Sequence, residues 1–390
     1  MAKKVKQNGC LFEEIPSPII WDILSRLPTK TCLISKLVCK DWYAIITDPE
    51  FADFRRSHGC YTTVLLRGNF CSKQRRRSLL LLDLLHPKID ETDNLIVNAD
   101  EMIRFKTQFR IRNQQYLHPV NVCNGVIFLK SSDWGPYVVC NLLTGQYLIV
   151  KEARRPCYSV NGVWLGYCHV SKQFKVLRVL ERYRGGTRSY VTEIRIIGTK
   201  KWRTISNTDP LDDLFLDDAV FFKDSLHIYS RKEKCILSFH FGYEKFVCIP
   251  LPCETNCNND DSSLCILDSC LCFSTISDDD RQCEIWEMKD YGVKDSWVKV
   301  TVVKYTDIPL SNNRPTYIPL VRMGSEKVLL ASTYNRWSYC GLSVVDIESG
   351  EYKRISVLGV SFFSLLALHP TFSKLQKCSK KFKIANLCKW

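Results

Sequence analysis

Five times between residues 137 and 355 the chain repeats one pattern. A strand-like run of about seven residues is followed by a short polar turn, and then by an aromatic that opens a second strand-like run. The five segments are YVVCNLLTGQYLIV (137–150), VTEIRIIGTKKWRTI (191–205), CILSFHFGYEKFVCIPLP (235–252), CEIWEMKDYGVKDSWVKV (283–300) and LSVVDIESGEYKRI (342–355). The aromatics after the turns are Tyr147, Trp202, Phe246, Trp297 and Tyr352, spaced 55, 44, 51 and 55 residues apart. A period near 50 with about four strands per unit predicts small sheets repeated around an axis. One such sheet cannot bury both faces, so the units must stack on each other. The aromatics are then expected between neighbouring sheets, where large flat side chains fill space.

This is the arrangement of a kelch-type β-propeller. The two strands before each hairpin are also legible: AVFFK and SLHIYS precede the third segment, SSLCIL and CLCFST the fourth. The 390 residues leave room for one large β domain and one small one. No apolar run follows MAKKVKQNGC, so no secretory leader is expected. No apolar stretch approaches the length of a membrane span. The twenty cysteines are therefore expected as reduced, small hydrophobes. Cys253, Cys257, Cys265, Cys270, Cys272 and Cys283 are the densest group, but no pair has the two-residue gap of a zinc knuckle, and core packing is the expected role. The net charge of +14 is spread along the chain; its tightest runs are KQRRR (73–77) and KCSKKFK (377–383). Solvated surface and a basic tail account for it, with nuclear import or polyanion contact as the alternative.

Residues 11–51 read differently. Ser17 can cap a helix with Pro18 at its first position. Ile19, Ile20, Ile23, Leu24 and Leu27 follow as one apolar stripe. Pro28 stops that helix, and a second runs from about Thr31 through Leu33, Ile34, Leu37 and Val38. Trp42, Tyr43, Ile45 and Ile46 form a third, which Asp48-Pro49 breaks. Three short helices of this kind carry more apolar surface than they can bury alone. Either they pack on the β domain or they present a docking face.

IPSPIIWDILSRLPTKTCLISKLVCKDWYAIITDPEF resembles an F-box. It has the Pro near the start, the Ile-Leu-x-x-Leu-Pro helix end, Val-Cys-Lys-x-Trp and Asp-Pro-x-Phe in order. Ile15 stands where leucine is usual. The β region resembles the F-box-associated domain found behind many plant F-boxes, through NVCNGVIFL, GYCHVSKQFKVLRV, ILSFHFGYEKFVCIPLP and IWEMKDYGVKDSW. Phe174 stands where tyrosine is common. The expected fold is α+β multidomain: a three-helix F-box bundle at 9–57, a linker or degenerate first blade at 58–117, an all-β kelch-like propeller at 118–375 and a basic tail at 376–390. YTTVLLRG, SLLLLDLL and NLIVNA would be the strands of the degenerate blade, with a basic loop between them.

The resemblance implies a substrate receptor of a Skp–cullin–F-box ubiquitin ligase. The F-box would dock on a Skp-family adaptor, and through it on cullin and RING subunits, in the cytoplasm, the nucleus or both. The β domain would hold the protein to be ubiquitinated. By family pattern the adaptor contacts are Ile15, Pro16, Ile20, Leu24, Leu27, Pro28, Val38, Cys39 and Trp42. In a regular blade the loop between strands two and three lies on the face of the blade-to-blade links. Trp134, Tyr183, Trp337 and Tyr339 are large aromatics in those loops, near arginines, and are candidate target contacts. A Skp-binding scaffold without ligase function, or a polyanion-binding propeller, would fit the same features. Catalysis is not expected. The seven histidines show no metal-ligand pairing, and no nucleophile elbow or phosphate-binding glycine loop is present. No cofactor, metal or membrane contact is expected, and nucleic acid is disfavoured.

Overall fold

The computed structural model describes residues 15–57 and, between 63 and 381, all but several connecting stretches, the longest being 70–77, 206–218, 253–261 and 305–315. Four helices come first: α1 (Ser17–Arg26), α2 (Thr29–Ser35), α3 (Lys40–Thr47) and α4 (Pro49–Ser57). The sequence predicts three. Asp48-Pro49 does end α3, but it also starts α4. Asp48 is extended (φ −65°, ψ 134°), and its carboxylate accepts the Glu50 N–H at 2.8 Å, with Pro49 at the first helical position where a missing N–H is harmless. At the other end Ser17 is inside α1; Pro16 takes the cap position and no side chain caps it.

The described strands form six sheets. The second sheet runs Leu117–Cys123, Val126–Ser131, Tyr137–Asn141, Gln146–Val150, and Lys380–Lys381 adds to its outer edge. The third runs Ser159–Cys168, Gln173–Arg184, Thr187–Ile196, Arg203–Thr204. The fourth is Ala219–Phe222, Ser225–Ser230, Cys235–His240, Lys245–Pro250. The fifth is Ser263–Leu267, Cys270–Ile276, Gln282–Met288, Trp297–Lys304. The first and sixth are composite. In the first, the C-terminal strand Ser361–Leu368 pairs antiparallel with Thr63–Asn69, followed by Ser78–Asp83 and Ile103–Lys106. The sixth, Thr316–Met323, Lys327–Asn335, Ser338–Asp346 and Tyr352–Leu358, is extended by Leu95–Asn98 in parallel and then by Lys88–Ile89.

Residues 60–117 thus differ in part from the sequence reading. The described parts of YTTVLLRG and SLLLLDLL, in Thr63–Asn69 and Ser78–Asp83, do lie in the first sheet. Leu95–Asn98 of NLIVNA leaves it and lengthens the sixth. A strand ladder is made by backbone groups, so the sequence of a short strand does not name its partner. The basic run 73–77 lies outside the described residues.

The five turn aromatics pack as expected. Tyr147 and Trp297 are buried, and Trp202, Phe246 and Tyr352 lie against the cores between sheets. Cys265, Cys272 and Cys283 are buried in the fifth sheet, and burial pushes the Cys283 thiol up to about 12, so it stays neutral. Cys253 and Cys257 lie outside the described residues. One pair departs from the expectation of free thiols: Cys235 and Cys248, on adjacent strands of the fourth sheet, are joined as a disulfide.

Polar clasps cross the sheet junctions. Asn121 is buried, and its amide both donates to Leu165 O (2.8 Å) and accepts from Leu165 N–H (3.0 Å), so it replaces a strand partner between the second and third sheets. Arg178, 2% exposed, meets Glu193 directly opposite on the next strand at 2.5 Å and lies under the Trp202 ring at 4.0 Å. Glu152 stands 3.8 Å from Arg178 and accepts the Tyr137 hydroxyl at 2.5 Å, which ties this buried ion group to the second sheet. Lys175 bridges to Glu244 (2.9 Å) and to Phe241 O (2.8 Å) on the fourth sheet. His227 bonds Tyr291 of the fifth (2.7 Å). Arg322 of the sixth reaches Asp268 (2.7 Å) in the fifth.

Two outcomes follow from these junctions. At Gly166 an added Cβ would fall 1.9 Å from the Phe241 ring. Gly166→Ala is expected to lower stability by about 1–3 kcal/mol, as overpacking does, and adding Phe241→Leu should recover part of it; thermal melts check both. Desolvation holds buried His227 neutral, with its pKa lowered to about 4 against hydrogen bonds that raise it. Its unfolded value is about 6.5, so the unfolded chain takes up the proton first. This residue's contribution is present above pH 6.5 and is lost as pH falls towards 4, roughly 3 kcal/mol in all. Stability measured across that window should fall less steeply in His227→Phe.

Candidate functional surfaces

The helical bundle has a complete core. Leu24, Cys32, Leu33, Ile46 and Phe51 are buried in one cluster that continues into Leu79, Phe105, Leu129, Leu368 and Phe372 of the first and second sheets and the segment after them. Lys36 sits over the Phe372 ring at 5.5 Å. Trp21 of α1 meets Phe51 and Phe54 of α4 edge-on, each at 5.7 Å. So the helices do pack on the β domain, and still leave a large apolar surface outside.

The apolar residues of α1 divide between two sides. Ile20, Leu24 and Leu27 face the core. Ile19 and Ile23, one turn apart, are 50% and 46% exposed. The α2–α3 connection adds Leu37 at 75% and Val38 at 57%, and α3 adds Tyr43 at 47%. These five are among the eleven large hydrophobics that stand exposed in the described residues. They fall within 25 residues of chain, which is a concentration and not surface scatter.

The motif residues have local structural reasons. Leu27 precedes proline and is extended (ψ 144°), and Pro28 then caps α2. Cys39 is exposed, yet its sulfur accepts the Trp42 N–H at 3.5 Å and caps α3. Of the expected docking residues, Pro16, Val38 and Cys39 are exposed, while Ile15, Ile20, Leu27, Pro28 and Trp42 are half-buried. Leu24 is 0% exposed. It belongs to the core and cannot reach a partner, a correction that follows from its inward place on α1. Sequence reasoning missed Ile19, Ile23, Leu37 and Tyr43, although the over-wide apolar stripe was their signal. It also missed Arg55, which is 4% exposed and donates to Ser25 O (3.2 Å) and Leu27 O (2.6 Å). Arg55 thereby supplies the donors that the last turn of α1 lacks and fixes the Leu27-Pro28 corner.

A second candidate lies on the propeller axis. A cavity of about 350 Å³ is lined by the first strands of the first, second, fourth, fifth and sixth sheets. Of the described residues of the third sheet, His169 alone lines it. The walls are apolar, with Val122, Phe221, Leu264, Leu320 and Leu365 among them. Asn124, His169, Lys223, Ser269 and His369 stand at one end. The first four of these belong to turns joining the first and second strands of their sheets, so that end is the face opposite the loops between strands two and three.

The expected target contacts fare unevenly. Tyr183 is 70% exposed but lies in the strand Gln173–Arg184, opposite Arg188, because pairing continues to a two-residue turn at Gly185-Gly186. Both glycines have positive φ (58° and 81°), as so tight a hairpin needs. The loop expected around Tyr183 is thus mostly strand. Tyr339 is likewise in a strand, Ser338–Asp346. Trp134 and Trp337 lie outside the described residues. Among the described residues no group of acidic, histidine and cysteine side chains is placed to hold a metal ion, and no helix is long and apolar enough to cross a membrane.

Comparison with known proteins accounts for both parts of the chain. The family model of the F-box associated beta propeller domain matches residues 79–359, and that of the F-box domain matches 12–54. The chain is similar to F-box protein At3g07870 of Arabidopsis thaliana, 25% identical over 337 residues, covering 79% of this chain and 77% of the relative. It is also similar to F-box protein CPR1 of the same plant, 27% identical over 384 residues, covering 89% and 84%. Among solved structures, TolB from Acinetobacter baumannii aligns at 12% identity with a TM-score of 0.43, over 79% of this chain and 66% of its own.

The inward and outward residues should separate in unfolding experiments. Leu24→Ala is expected to cost about 2–5 kcal/mol through its cavity. Arg55→Met should cost about 1.5–3 kcal/mol, since two buried carbonyls lose a charged donor. Leu37→Asp and Val38→Asp should stay within about 0.5 kcal/mol of the parent, as measured by urea titration.

Proposed function

The chain belongs to the F-box proteins that carry an F-box-associated β-propeller, and on that footing we propose that it is a substrate receptor of a Skp–cullin–F-box ubiquitin ligase. The F-box docks on a Skp-family adaptor and through it on cullin and RING subunits. The propeller holds a target protein for ubiquitination, in the cytoplasm or nucleus where such ligases meet their targets. The chain itself performs no chemistry. It raises the effective concentration of a target lysine near the charged ubiquitin-carrying enzyme.

The observation that carries the reading is the concentration of exposed apolar side chains on the bundle, at Ile19, Ile23, Leu37, Val38 and Tyr43. Their own core is already complete without them, so they are free to form the buried centre of an interface. Of the motif residues, Pro16, Val38 and Cys39 are exposed and remain proposed adaptor contacts with the half-buried Ile15 and Pro28, while Ile20, Leu27 and Trp42 pack against the core. Tyr183, Trp337, Tyr339 and Trp134 remain proposed target contacts.

The test is co-expression with a Skp adaptor followed by size-exclusion chromatography. The wild-type chain should co-elute with the adaptor. Leu37→Asp combined with Val38→Asp should reduce retained adaptor at least about tenfold, because buried, unpaired carboxylates are costly, while the melting temperature stays near that of the parent. Folded wild-type chain that retains no adaptor would overturn the assignment. Adaptor binding without ubiquitin transfer in a reconstituted ligase would leave a scaffold.

A further inference from the structure

From the axial cavity we infer a second binding function, independent of the adaptor: the propeller takes a small organic acid, with its apolar body among the inner strands and its anionic group on Lys223. The volume of about 350 Å³ is at the small end of ligand pockets, which are largely apolar with few placed polar groups. The walls meet that description. Val122, Phe221, Leu264, Leu320 and Leu365 come from five different sheets, so a bound apolar body would touch the whole ring.

The sign of the polar group follows from the charges at the cavity's end. Two carboxylates belong to the same turns, and each has a partner other than Lys223, although Asp224 keeps a negative charge that acts on Cys123 and Tyr167. Asp224 is paired with His169, and Asp268 with Arg322 at 2.7 Å. Lys223 is different. Its ammonium lies over the rings of Tyr291 (5.0 Å) and Phe222 (5.3 Å), and among the described residues no carboxylate pairs with it. The aromatic faces hold the cation in place without neutralising it. Its backbone is fixed as well: Lys223 and Asp224 both have positive φ (45° and 60°), in a two-residue hairpin turn. A pre-placed cation at the mouth of an apolar cavity recognises an anion attached to an apolar group. The excess of basic residues, with a formal charge of +14, favours the approach of such a ligand.

The test uses two probes of one shape, 1-naphthoate and uncharged 1-naphthamide, titrated calorimetrically into the full-length chain. The acid should bind saturably and at least about tenfold more tightly than the amide, the difference expected of one charge-assisted contact. Lys223→Met should abolish that preference and leave amide binding unchanged. Lys172→Met, at the corresponding turn of the third sheet and away from the cavity, should change neither. Ala367→Phe, which fills the cavity, should weaken both probes; if it does not fold, Ala219→Leu serves the same purpose. The acid should also raise the melting temperature in proportion to its binding. Equal affinities for the two probes, an acid preference that survives in Lys223→Met, or no saturable binding by the folded wild-type chain would each overturn the inference. None of these outcomes depends on whether the chain binds an adaptor.

Discussion

The pairing of Ser361–Leu368 with Thr63–Asn69 is the contact on which the rest depends. It brings the end of the β region back to its beginning, and it places the last long strand innermost in the first sheet. Without it the cavity would lose one wall. The closure is also where the helices stand. Leu368 and Phe372, just at and beyond the closing strand, share one core with Leu24 and Phe51 of the bundle. Asn141 adds a hydrogen bond to Thr371 O (2.9 Å), and Leu375 N–H donates to Gln146 (2.7 Å), so the segment after the strand is tied to the second sheet. The F-box is thus rooted on the seam of the propeller. For the proposed receptor role such a seat would give a fixed offset between adaptor and target, which narrows the volume a target could sample.

Between sheets, apolar packing does the bulk of the work and polar clasps choose the register. Apolar contact is non-directional and tolerates sliding. The Asn121 amide tolerates none, since it must donate to and accept from the same residue. The Arg178–Glu193 pair is costly to bury, yet it is shared with Arg155 (3.0 Å from Glu193) and stacked on Trp202, so its charges are answered from several directions. These clasps explain how sheets of unequal strand length still meet in one order.

The two candidate sites differ in how they were legible. The F-box motif could be read from spaced residues, because each element answers a local need: an extended residue before Pro28, a cap at Cys39, a helix start after Asp48. The candidate docking surface was only half visible. The apolar stripe of α1 was plain, but Ile19 and Ile20 are adjacent in sequence and differ in facing, Ile19 exposed and Ile20 packed on the core. Nothing in the stripe itself says which side the propeller covers. The cavity was not legible at all. Its lining comes from strands scattered between residues 120 and 369, and its cation is a turn lysine like many others until Asp224 and Asp268 are seen to be taken.

By itself the sequence determined the local quantities. These were the period-two strands, the tight turns, the recurring aromatic that fills each junction, and the helix stops at Pro28 and Pro49. All depend on neighbours a few residues away. Tertiary structure decided what depends on distant chain. Leu95–Asn98 joined the sixth sheet and not the first, the closing strand came from the far end, and Leu24 turned inward while Ile23 stayed outside. Backbone hydrogen bonds between remote strands carry no side-chain signature, and burial is a sum over neighbours that only the folded chain brings together.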